Sequence, residues 1–150
     1  WLYLATVLDC FSKKVLGYAM ADHLRTELVA DALRMANRNF AFTAGETIFH
    51  SDRGTQYLST EFAALTEELG VRRSVGRTGI CYDNAWAESF NGTLKNERVY
   101  RTQYPTREHA RKDITRYIEL RYNQIRLHSA IGYRTPNEVE SEWLDQMQAA

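Results

Sequence analysis

Cysteine and proline each occur only twice in these 150 residues, and no apolar run approaches the roughly 20 residues that cross a bilayer. The second absence excludes a helical membrane protein. Cys10 and Cys81 make neither a disulfide framework nor a zinc site, and the histidines at 23, 50, 109 and 128 have no close metal-ligand spacing. A reducing interior is the default. The chain opens on Trp1-Leu-Tyr-Leu, without a basic stretch or a small-residue cleavage site, so no secretory signal is read and a cytoplasmic location is expected. Low-complexity segments, repeats and internal linkers are missing as well, which argues against disorder. Net charge is also missing: nineteen Lys/Arg cancel nineteen Asp/Glu, and on its own that speaks against a polyanionic partner.

What is present fits one soluble domain. Length sets the count at about one, with roughly two-thirds of the unfolded surface buried. Hydrophobic content of 44% and charged content of 25% are ordinary. The charge, however, is unevenly spread. Residues 1–94 carry a net −2, residues 95–134 hold ten basic against four acidic groups for a net of +6, and 135–150 carry −4. A basic stripe between acidic segments reads either as a solvated helix surface or as a phosphate-binding face.

Along the chain, Leu2 to Leu8 is almost continuously apolar, as in a strand buried on both faces, and Val15 to Met20 reads as a second strand of a hairpin. Thr26 is expected to cap a helix bearing Leu28, Val29, Ala32, Leu33, Ala36 and Phe40. Thr47 to His50 reads as a short strand. Ser59 or Thr60 should cap a helix that Gly70 stops, and Val71 to Val75 is another short strand. Residues 76–83 read as a mobile loop, and the stretch from Asn84 to about Tyr100 as a helix. Thr106 is expected to cap a last long helix, with 128–136 irregular. Short strands alternating with helices after a hairpin imply an α/β layered fold.

Two carboxylates stand out. Asp52 follows a short strand in His50-Ser-Asp-Arg-Gly-Thr-Gln-Tyr57, at the kind of strand end where α/β folds bind ligands, and Gly54 lets the backbone approach closely. A plain turn or cap is the other reading of an Asp there. Glu88 lies in Asn84-Ala-Trp-Ala-Glu-Ser-Phe-Asn-Gly-Thr-Leu-Lys95. At about 100° per residue, Asn84, Glu88, Asn91 and Lys95 fall within about 60° of each other, beside an apolar face of Ala87, Phe90 and Leu94. A solvated polar stripe is the alternative. Trp86 reads as core, with contact to a ligand as the alternative, and His50 as a packing or supporting residue near the strand end rather than a proton shuttle.

Asp52 and Glu88 are separated by 35 residues. With the words around them, and with Tyr122-Asn-Gln-Ile-Arg126-Leu-His128-Ser and Arg134-Thr-Pro136, the chain resembles the integrase core of bacterial insertion-sequence transposases. That family is related to retroviral integrases with an Asp, Asp, Glu triad. The resemblance spans essentially the whole chain and implies an RNase H-like mixed β-sheet flanked by helices, as a single core domain 1–150 with a helical tail from about 106. It implies DNA nicking and strand transfer at transposon ends with Mg²⁺ or Mn²⁺. Two ions about 3.5–4 Å apart would activate the nucleophile and stabilise the leaving oxygen. Carried over by position, Asp52 and Glu88 are the second and third triad acids and metal ligands, Lys95 a DNA-end contact, and Asn91 and Arg126 further DNA contacts. Tyr122 and Asn123 are expected to give structural support. Arg98, Arg101, Arg107, Arg111 and Lys112 read as phosphate neighbours.

The resemblance also implies partners: transposon-end and target DNA, other copies of the chain assembled on DNA, and an upstream helix-turn-helix protein or domain, with no membrane and a place at the bacterial nucleoid. One element departs from the family pattern. The first triad Asp belongs to a strand preceding Trp1-Leu-Tyr-Leu, so the chain reads as N-terminally truncated and is expected to be inactive or nearly so. Asp9 is the tempting substitute, but its position matches an acidic turn residue. The alternative function is therefore a catalytically inactive remnant that only binds DNA or other transposase subunits. A nuclease of the RNase H kind fits the 35-residue spacing and the 122–136 words less well.

Overall fold

The computed structural model of the chain describes residues 1–76 and 85–149. The two opening apolar runs form strands β1 (Tyr3–Leu8) and β2 (Val15–Ala21), paired with each other. Their connection, 9–14, is far too short for a crossover, so the pair is the expected hairpin. Asp9 holds the turn: its carboxylate accepts the Phe11 and Ser12 N–H groups at 3.3 and 2.8 Å and the Ser12 hydroxyl at 2.6 Å. Both oxygens are engaged within that turn, which is the role its position implied.

Helix α1 (Thr26–Asn39) follows, with Leu28, Val29, Ala30, Ala32, Leu33 and Ala36 buried along one stripe. Thr26 does not cap it. The helix starts one residue earlier than expected, so Arg25 occupies the cap position without a side-chain bond and the Thr26 hydroxyl lies inside the first turn. Strand β3 (Ile48–Ser51) is followed by the short helix α2 (Thr55–Leu58), which sequence reading did not anticipate. Helix α3 (Thr60–Glu68) begins at Ser59, whose Oγ accepts the Phe62 N–H at 3.1 Å. It stops before Gly70, which takes a left-handed φ of 65° that side chains disfavour. Strand β4 (Arg72–Val75) then lies parallel to β3, with Ile48 opposite Arg72 and Ser51 opposite Val75. Among the described residues the strands thus make two two-stranded sheets.

Helix α4 (Ala85–Glu97), a 3₁₀ turn (Val99–Arg101) and helix α5 (Arg107–Arg116) come next. Thr106 caps α5 as expected, accepting the His109 N–H at 3.2 Å. The helix then widens into a π segment (Tyr117–Tyr122), and a further 3₁₀ turn (Ser129–Ile131) leads to helix α6 (Pro136–Ala149).

The chain divides into two compact units, Trp1–Val7 with Leu16–Ser89, and Leu8–Val15 with Phe90–Ala150. The first is built on Val7, Leu16, Val29, Leu33, Ala36, Phe62 and Leu65, with Phe49 tilted against the Phe62 ring and Tyr57 edge-on to it. The second buries Phe90, Leu94, Ile114, Ile118, Tyr122 and Val139. There the Tyr122 ring stands edge-on to Phe90 and His128, with centroids 4.9 and 4.6 Å away.

Asn123, 2% exposed, supports this second unit through its amide. Its Oδ1 accepts the Val15 N–H and its Nδ2 donates to the Val15 carbonyl, both at 3.0 Å, so one side chain replaces a strand partner for Val15. Removing it strands two buried backbone groups, each costing about 1–3 kcal/mol. Asn123→Ala is therefore expected to destabilise the chain by about 2–4 kcal/mol in urea unfolding. A loss no larger than that of an exposed substitution would refute this role.

Candidate active site

The parallel pairing of β3 and β4 sends both strands to the same end, and Asp52 is the first residue beyond β3. The edge is stitched from both sides. Gly76 N–H donates to the Ser51 carbonyl at 2.9 Å, and Arg53 Nε donates to the Gly76 carbonyl at 3.0 Å. Asp52 is exposed, and its Oδ1 accepts the Gly54 N–H at 2.8 Å, which fixes the carboxylate against its own turn. Tyr57, on the following helix, has its phenol pushed up by burial and by the nearby Asp52 charge. His50 pairs across the sheet with Ser74 at 3.0 Å through Nδ1, the arrangement of a packing residue.

Glu88 is exposed in the first turn of α4, where a negative charge is favoured by the helix dipole. Asn91 and Lys95 lie three and seven residues on, both exposed, while Phe90 and Leu94 are buried as the apolar face required. Asn84, the fourth member of the polar stripe, and the 77–83 part of the expected loop lie outside the described residues, as does Cys81. Trp86 departs from expectation. It sits at the start of the helix and remains 45% exposed, so it is not a core residue.

Asp52 and Glu88 both belong to the first unit, and among the described residues no cation pairs with either. No three His, Cys, Asp or Glu side chains come together as a metal site among the described residues. The donors themselves suit a hard divalent ion: exposed carboxylate oxygens with no cation beside them among the described residues, the Gly54 N–H engaging only Oδ1 of Asp52. By donor chemistry the two carboxylates are compatible with Mg²⁺ or Mn²⁺.

Arg126 is half-buried and bound. Its Nε donates to Glu97 Oε1 at 2.8 Å, and Tyr117 donates to the other Glu97 oxygen at 2.8 Å. Burial pushes the Glu97 carboxyl up, but the bonds from Arg126 and Tyr117 outweigh it and hold it below the usual range. Burial lowers His128, and it pushes the Tyr122 phenol up to about 12. Sequence reading missed the Glu97 partnership, since nothing in the spacing of 97, 117 and 126 announces it.

The Integrase core domain description applies to two family profiles, one matching residues 1–81 and the other 69–136. The chain belongs to the integrase core domain family. It is 43% identical over 136 residues to the uncharacterized 31 kDa protein of insertion element IS600 from Shigella sonnei, covering 91% of this chain and 50% of that one. Against the transposase InsF for insertion sequence IS3fB of Escherichia coli K12 it is 38% identical over 144 residues, covering 95% and 49%. The chain thus spans about half the length of the curated relatives it matches. Among solved structures, the catalytic core domain of BIV integrase aligns with a TM-score of 0.69 at 20% identity, over 95% of this chain and 89% of that one. The HTLV-2 integrase catalytic core domain, solved with magnesium, aligns at 0.64 and 18%, over 92% and 82%. The integrase core fold is therefore the expected RNase H-like α/β arrangement, and no described helix is long and apolar enough to cross a membrane.

Proposed function

We propose that this chain is the catalytic core of a DNA transposase that nicks transposon ends and transfers them by metal-dependent phosphoryl transfer. The observation that carries this is the pair of exposed carboxylates without an ion-pair partner among the described residues, Asp52 at the β3 end and Glu88 on α4, in an integrase core 38% identical to an insertion-sequence transposase. Asp52 and Glu88 would hold Mg²⁺ or Mn²⁺. When bound, such ions make a water or DNA 3′-hydroxyl a stronger nucleophile and stabilise the leaving oxygen.

The remaining steps belong to the protein. The Gly54 N–H keeps Asp52 in one orientation. On α4, the Lys95 ammonium neutralises a phosphate and the Asn91 amide donates to the DNA. Arg126 meets the backbone only with the guanidinium edge that Glu97 leaves over. Residues 1–150 act as one core with a helical tail from about 106. Transposon and target DNA, further copies of the chain on that DNA, and a helix-turn-helix protein or domain are its partners, at the nucleoid.

The test places this core in a chimaera, replacing the matching half of InsF, and assays Mn²⁺-dependent joining of a branched DNA substrate. Joining that a chelator stops is the expected result. A chimaera that folds and binds DNA but never joins ends would overturn the reading and leave an inactive DNA-binding remnant.

A further inference from the structure

The second unit contains a groove of about 720 Å³ that the proposed chemistry does not use. Its walls come from the α4 end, the 3₁₀ turn, α5 and the π segment, and they carry Arg98, Arg101, Arg116 and Arg121 against Glu97 and Asp113. Both carboxylates are already neutralised. Asp113 is gripped by Arg98 through two bonds, one at 2.7 Å and the other between Nη2 and Oδ1, and also accepts the Tyr104 hydroxyl at 2.7 Å. Glu97 is held by Arg126. Arg101, Arg116 and Arg121 are left as cations with no ion pair among the described residues.

The π segment explains how two of them share one groove. In an α-helix, residues five apart point about 140° away from each other, so Arg116 and Arg121 would diverge. A π-helix bonds i to i+5, which brings such residues onto one side. The π segment Tyr117–Tyr122 lies between the two arginines, both of which line the groove, and i to i+5 bonds continue towards its C-terminal side: Asn123 N–H reaches the Ile118 carbonyl at 3.1 Å and Arg126 N–H the Arg121 carbonyl at 2.7 Å. A π turn has poorer backbone geometry than an α turn and tends to persist where it aims a functional side chain. Arg101 is steadied from the opposite wall, its Nε donating to the Asn96 carbonyl at 2.9 Å, so its outer guanidinium edge is presented ready-oriented.

We infer that Arg101, Arg116 and Arg121 form a second phosphate-binding groove, separate from Lys95 and Asn91, that grips the backbone of duplex DNA. This rests on the transposase reading and extends it: the helical unit holds DNA by its phosphates without reading sequence. Each phosphate neutralised by a basic side chain releases counterions, and the slope of log K against log salt steepens by about 0.9 per contact.

The experiment measures binding of a random-sequence 20-bp duplex by fluorescence anisotropy across a salt series. It compares the wild-type chain, the triple variant R101Q/R116Q/R121Q, Lys95→Gln, and Arg38→Gln on the exposed face of α1. The triple variant is expected to lose about 2–3 units of salt slope and to bind about 10- to 100-fold more weakly at low salt. Lys95→Gln should lose about one unit and Arg38→Gln essentially none. Unfolding midpoints taken alongside separate weak binding from misfolding, and R116Q/R121Q serves if the triple variant does not fold. A slope unchanged in the arginine variants but reduced by Lys95→Gln would overturn the groove alone. Equal losses per charge from Arg38→Gln would reduce the effect to net charge and overturn it too. A folded wild-type chain that binds no DNA would take down the transposase reading and the groove together.

Discussion

Introduced into the InsF chimaera, Asp52→Asn and Glu88→Gln should each lower DNA joining by about three orders of magnitude or more, while the protein stays as stable as before. Three orders correspond to about 4 kcal/mol of lost transition-state stabilisation. That is the scale expected when a carboxylate that helps to position a catalytic cation is neutralised. The structural argument for unchanged stability is specific to each site. Asn at position 52 keeps a carbonyl oxygen where Oδ1 accepts the Gly54 N–H, so the turn after β3 is retained. Gln at 88 sits exposed in the first turn of α4 and forfeits only its interaction with the helix dipole, about 0.3–1 kcal/mol. DNA binding should be unchanged or slightly tighter, because each substitution removes a negative charge from a surface that meets phosphates. The combination separates chemistry from structure. Joining within tenfold of wild type in both variants would end the assignment of metal ligands, and a fall in the unfolding midpoint parallel to activity would make the two residues structural.

How much of this was legible in advance follows from which interactions are local. The hairpin, α1 and the β3–α3–β4 order are written in apolar runs, helical spacing and turn residues, all of which act over a few positions. Ser59 and Thr106 were readable as caps because the cap bond spans only two or three residues. The start of α6 is equally local. Thr135-Pro-Asn-Glu138 is a capping box with proline at the first helical position, and the reciprocal bonds are present at 3.2 and 2.7 Å. Asp52, Glu88, Asn91 and Lys95 could be nominated because they stand in short words and on one helix face. What escaped were partnerships across long separations: Asn123 with Val15, Arg126 and Tyr117 with Glu97, Arg53 with Gly76. The π segment escaped for a different reason. No spacing of residue types marks its period, so Arg116 and Arg121 look far apart on a wheel drawn at 100°.

Gly17→Ala should be the most damaging single methyl group added to the first unit, costing roughly 3 kcal/mol or more. Val15, Leu16 and Gly17 are all buried in β2, and α1 presents Ala32 and Ala36 as small residues with 1% or less exposure. A Cβ on Gly17 would lie 2.3 Å from the Ala32 carbonyl oxygen, 2.4 Å from the Ala36 nitrogen and 2.8 Å from the Ala36 Cα. Every obstacle is backbone, so no rotamer change relieves the clash; strand and helix must separate by about 1 Å. Separation would loosen Leu33 and Ala36, which are fully buried, and stretch the bond from Asn39 Nδ2 to the Leu16 carbonyl, now 2.8 Å. The entropy gained by removing a glycine from the unfolded chain offsets less than about 1 kcal/mol of this. Gly92, inside α4, supplies the opposite case. A Cβ there meets nothing within 4 Å, so Gly92→Ala should stabilise by about 0.5–1 kcal/mol through helix propensity alone. The same substitution thus has opposite signs at two positions, and urea unfolding of both variants reads the difference directly. A Gly17→Ala cost below about 1 kcal/mol would mean that β2 and α1 do not pack as closely as the structure shows.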